Sequence, residues 1–147
     1  VFKIVVAAAV KMSWKELSSR DEPVLSNFDY MLDYCRTAMA HLDVEEFRVL
    51  FLNAKLQIIK EEIMQRGTVN HVAVHPREVV KAALDCGAIS VVLFHNHPGG
   101  KAAPSADDRE VTRQIVEALR PLKIRVQDHI IITKDNYFSF RTSGLLE

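Results

Sequence analysis

The 147-residue chain has no excess charge of either sign: 19 Lys and Arg balance 19 Asp and Glu. That excludes a global basic field drawing in nucleic acid or an anionic membrane, though not a local patch. Cysteine is scarce. Cys35 and Cys86 make no CxxC pair and no spaced framework, so they read as small core residues of a reduced, cytoplasmic protein. No apolar run approaches the roughly 20 residues that a membrane span needs. There is no internal repeat and no low-complexity tract. Residues 1–10 are apolar but lack the cleavage pattern of a signal peptide. The expectation is a fragment of a longer protein, with residues 1–24 a lead-in from an upstream region and residues 25–147 one domain.

What is present alternates between helical and strand periods. Residues 11–25, with Pro23, read as a linker or irregular lead-in. Ser26 is a candidate N-cap for a helix whose apolar residues Phe28, Met31, Leu32, Cys35, Met39 and Leu42 recur at helical spacing. His41 falls in its last turn, an ordinary place for a cation-capable side chain. Residues 46–53 and 56–66 read as paired strands about the turn Asn53-Ala54-Lys55, although Lys60-Glu61-Glu62 also suits a helix. Residues 69–74 read as a short extended piece, and His71 and His75 flank an apolar stretch. Pro76 starts a helix that Gly87 stops. Residues 88–94 (AISVVLF) are apolar enough for a strand buried on both faces. A Gly/Pro loop leads to a helix over about 105–119, then to a strand over 123–133 and a hairpin partner at Tyr137–Phe140. This order predicts an α/β sheet with helices on its faces. Trp14 stands alone, with packing as its default role.

The segment that carries chemistry is His95-Asn96-His97-Pro98, at the exit of the buried strand. Residues i and i+2 of a strand share a face, so His95 and His97 converge while Asn96 turns away. Asp108 lies in the first turn of the next helix, within reach if the loop folds back. Two imidazoles and a carboxylate leave a fourth position open, the ligand count of a catalytic zinc site. The same Asp108 also fits a plainer role, because Ser105-x-x-Asp108 is the pattern of a helix capping pair. Hydrolysis needs a base as well. Glu45 and Glu46 are candidates at the first strand's entry, with Asp43 a weaker one, and periodicity does not choose between the glutamates. Asp128 and His129 point to opposite faces of one strand. They read as a structural polar pair, with contact to a ligand histidine as the alternative.

These residues resemble a known family. His95-x-His97, ten intervening residues and Asp108, with Ser105 three before it, is similar to the JAMM (MPN⁺) metalloprotease motif. More closely, the chain resembles the bacterial RadC family. The residues that carry this are Glu46–Leu52, Arg66-Gly67-Thr68, His75-Pro76-Arg77-Glu78, His95–Pro98, Asp128-His129, Ser139-Phe140 and Gly144-Leu145-Leu146, so it covers roughly residues 25–146. The resemblance implies a three-layer α/β/α sandwich around a mixed sheet, the JAB/MPN (cytidine deaminase-like) fold. It implies Zn²⁺ held by His95, His97 and Asp108, with Glu46 as general acid/base and Ser105 stabilising an oxyanion. The implied activity is hydrolysis of a peptide or isopeptide bond in a protein or peptide substrate. The family's name suggests the alternative, a DNA-repair accessory protein binding nucleic acid or a protein partner, but no basic stripe with interleaved aromatics supports it. A zinc deaminase is set aside for want of H-x-E and P-C-x-x-C. Asn53 stands where the family usually has Asp, and loop 99–104 departs from the usual Ser-Gly-Asp-Pro-Thr-Pro.

Overall fold

The computed structural model describes residues 1–18, 28–67 and 74–146. Its centre is β3 (Ser90–Asn96), in which every residue is buried. That burial follows from its place: β3 lies between β1 (Glu46–Leu52) and β4 (Arg125–Ile132), with β2 (Ile58–Arg66) and β5 (Tyr137–Ser139) at the edges, in the order β2-β1-β3-β4-β5. The sheet is mixed. β3 and β4 run parallel, and the other neighbours are antiparallel. The parallel pair requires a crossover, supplied by α4 (Ala106–Leu119).

Strand alternation sends side chains to two separate cores. On one face Leu50, Leu52, Val92, Phe94, Ile130 and Ile132 pack with Met31, Cys35 and Met39 of α2 (Phe28–Met39). On the other, Phe47, Val49, Phe51, Val91, Leu93 and Val126 pack with Val79 and Ala83 of α3 (Pro76–Cys86) and with Ile115 and Leu119 of α4. Helices therefore cover both faces of a mixed sheet, the expected α/β/α layering. Each fully buried aliphatic or aromatic side chain contributes roughly 1.5–3 kcal/mol.

The lead-in reading needed correction. Residues 11–18 are not irregular: α1 runs unbroken over Phe2–Ser18. No proline or glycine interrupts it, and Val10 and Trp14 pack on the α2 core, Trp14 with its ring 5.3 Å from that of Tyr34. Packing, rather than composition, decides that segment. Lys60-Glu61-Glu62 lies in a strand, because the register Lys60↔Phe51 to Glu62↔Val49 satisfies its backbone along β1. Helix α2 stops at Met39, where Leu42 N–H turns back to Met39 O. Gly87 closes α3 in the left-handed conformation (φ 69°), as its sequence position predicted. Ser26, Thr68 and His71, and most of the extended piece at 69–74, lie outside the described residues. No described helix is long and apolar enough to cross a membrane.

Candidate metal centre

Alternation along β3 puts Val91, Leu93 and His95 on the α3/α4 face. The chain stays beside β4 past the strand's end, since His97 N–H donates to Ile132 O at 2.9 Å. His97 thus follows His95 onto the same face. Asn96, between them, turns away: its amide donates to Val44 O and its oxygen accepts from Glu46 N–H. Asp108 arrives from α4, where the capping pair forms as its sequence pattern predicts. Ser105 caps the helix by accepting from Asp108 N–H at 3.0 Å, while the Asp108 carboxylate accepts from Ser105 N–H at 2.8 Å. The same carboxylate reaches both imidazoles. His95 Nε2 lies 3.2 Å from Oδ1, His97 Nε2 lies 3.1 Å from Oδ2, and the two Nε2 atoms are 2.9 Å apart. All three ligand atoms fall within 4.8 Å of one another, a group able to hold a metal ion.

The remaining ring atoms are also engaged. His97 Nδ1 sits 2.7 Å from Lys101 O, so the divergent loop supplies backbone to orient a ligand. His95 Nδ1 sits 2.7 Å from Nε2 of His129, which is fully buried. His129 Nδ1 in turn lies 2.6 Å from Thr112 Oγ1 on α4. Phe47 stacks on His95 and meets His129 edge-on, and Phe140 stacks on the other side of His129. Burial opposes the charged form of Asp108, but the bonds from His95 and His97 overcome it and hold the carboxyl far below the usual range. Burial likewise disfavours charge on His97, yet Asp108 outweighs it and raises the imidazole's pKa. Burial, then the neighbouring His95, drives His129 well below the ordinary histidine value, so it is neutral.

Against known proteins, the profile of the family described as "RadC-like JAB domain" matches residues 25–145. The chain belongs to the RadC-like JAB domain family. It is similar to a "UPF0758 protein" of Rhodobacter capsulatus, 49% identical over 144 residues that make up 98% of this chain and 66% of the relative. A UPF0758 protein of Ruegeria pomeroyi is 44% identical over 144 residues, 98% of this chain and 63% of that protein. The RadC-like chain thus spans just under two-thirds of the length of these relatives. Neither name states an activity.

In this RadC-like domain the structure does not bring Glu46 to the metal group, contrary to the role carried onto it from the resemblance. Phe47 faces His95, so its neighbour Glu46 points to the opposite face of the sheet. There the buried Glu46 carboxylate pairs with Arg48 and, at 3.0 Å, with Arg66. Glu45 shares the parity of Phe47. It continues the ladder by accepting from Gly67 N–H at 2.8 Å, it is half-buried, and its charge acts on His97. Asp128 and His129 do part to opposite faces. Asp128 is structural, accepting from Ser139 Oγ, Arg141 N–H and His129 N–H. His129 takes the alternative reading, its ring against that of His95. Thr112 went unnoticed in the sequence, although its place four residues after Asp108 on one helix puts the two on the same side. The departure at Asn53 is harmless: its side-chain oxygen accepts from Lys55 and Gln57 N–H, as an aspartate would.

Proposed function

We propose that this RadC-like domain is a zinc-dependent hydrolase of the JAMM type that cleaves a peptide or isopeptide bond in a reducing, cytoplasmic setting. The observation that carries the reading is a convergence of acceptors. A carbonyl can only accept, so Lys101 O fixes the proton of neutral His97 on Nδ1 and leaves Nε2 bare. That lone pair, the His95 Nε2 and the two carboxylate oxygens crowd together, the nitrogens 2.9 Å apart and each 3.1–3.2 Å from one oxygen. Only a proton or a metal ion among them relieves their repulsion, and the N₂O donor set with one position left open fits zinc.

His95, His97 and Asp108 would hold the ion. Zinc held there supplies Lewis acidity to water and to the scissile carbonyl. The chain's own groups do the rest. Glu45 is the general acid/base, on the face that Phe47 presents to His95. The Ser105 hydroxyl accepts from Asp108 N–H, which leaves its own proton to donate to a developing oxyanion. Free Cys35 and Cys86, on helices at opposite faces of the sheet, suit a reducing compartment.

The test has two parts. Purified protein should contain about one zinc per chain, and a folded chain that takes up none overturns the reading. Glu45→Gln should keep the metal while uncleaved substrate accumulates in cells, by proteomic comparison with the parent. Full turnover by that variant would remove Glu45 as the base.

A further inference from the structure

A chain of contacts runs from α4 to the metal group, and elementary hydrogen-bond chemistry fixes every proton in it. Thr112 Oγ1 lies 2.6 Å from Asp108 O. A carbonyl oxygen has no proton to give, so the Thr112 hydroxyl donates there. The hydroxyl's single proton is then spent. At 2.6 Å from His129 Nδ1 it can only accept, so His129 carries its proton on Nδ1. His129 is fully buried against Phe47 and Phe140, where the charged form of the ring would be costly, so it is neutral and its Nε2 is bare. The contact of 2.7 Å between that Nε2 and His95 Nδ1 then requires the proton to sit on His95 Nδ1. By elimination the lone pair of neutral His95 is on Nε2, the atom beside His97 and Asp108.

We propose that Thr112 and His129 are positioning residues that set the tautomer of His95 and keep its Nε2 lone pair directed at the metal position. The inference rests on the zinc reading for its purpose, but the proton order itself does not. The relay also closes on the site it serves: it starts at the backbone of Asp108 and ends at the ring of His95, so one ligand's helix determines which nitrogen another ligand presents. Reversed, the chain would put a proton on His95 Nε2 and block ligation.

The experiment is chelator competition for zinc on the parent chain, Thr112→Val and Thr112→Ser, alongside histidine ring ¹⁵N shifts. Thr112→Val keeps the shape and removes the acceptor. It should weaken zinc binding by roughly 10–100-fold, and Thr112→Ser, which keeps the hydroxyl, should restore it. The parent's shifts should show His129 protonated at Nδ1 and bare at Nε2, with or without zinc. Unchanged zinc affinity in folded Thr112→Val, or His129 protonated at Nε2 in the parent, overturns the proposal. A parent that takes up no zinc sinks the hydrolase reading instead, and the shifts still decide the relay. A merely structural role would alter unfolding temperature and leave both the shifts and the affinity as they were.

Discussion

The two faces of the sheet each carry a buried polar cluster, and the clusters are opposites. On the α2 face Glu46 and Glu61 meet Arg48, Arg66 joins Glu46, and the Tyr34 hydroxyl donates to Glu61. Cations and anions alternate there. Burial and the Glu61 carboxylate push the Tyr34 phenol up, so it remains a donor. On the α4 face His95, His97 and Asp108 gather two imidazoles on one carboxylate, with only exchangeable imidazole protons to bridge them. A cluster of fixed ion pairs holds the fold, whereas one bridged only by imidazole protons can exchange them for an ion. Two adjacent glutamates divide between these fates because strand neighbours point apart.

The comparison breaks most sharply at His97. His97→Ala should cost zinc affinity more than the roughly 10–100-fold typical of losing a supporting partner, with the domain still folded by circular dichroism. Unchanged zinc content would mean that the open face is not a metal site. The next effect is on stability. Glu46→Gln should lower unfolding stability by about 3 kcal/mol, the lower end for breaking a buried pair because Arg48 keeps Glu61, and should leave zinc content intact. A loss of zinc in that variant would show that the faces are not separate.

The smallest effect is on pH dependence without metal. Asp108 is depressed, so its contribution is complete above the usual aspartate value of about 3.9 and fades as pH falls through the depressed one. His97 is raised, so its contribution is complete below about 6.5 and fades as pH rises through the folded value. Metal-free protein should therefore be most stable between about pH 4 and 6.5. Zinc should move the optimum upward, because it takes the unprotonated imidazole. Thermal unfolding across pH, with and without zinc, reads both; coincident profiles would deny that ion and proton compete.

Much of this was legible in the sequence, and the rest failed for identifiable reasons. The His95/His97 pair followed from the period of two within a single strand, and the loop and cap that bring Asp108 to it are local. Choosing between Glu45 and Glu46 needed the face that Phe47 takes, which depends on how β1 registers against β3, about a third of the chain away. A motif that begins at Glu46 carries no information about parity. His129 was visible as a candidate, but its contact with His95 depends on the parallel pairing Leu93↔His129. The helical state of residues 11–18 came from docking on α2, which propensity does not report.

The capping box at Ser105 has a consequence for what position 108 can tolerate. Its carboxylate brackets the start of α4 and faces both imidazoles at once. Asparagine would still close the bracket but bring no charge to the imidazoles. Glutamate would keep the charge but is one methylene too long for both geometries together. Anchorage of the helix and a carboxylate able to hold an ion are thus written into one side chain. Neither duty can drift while the other is kept, which makes this short carboxylate the least negotiable letter in the chain.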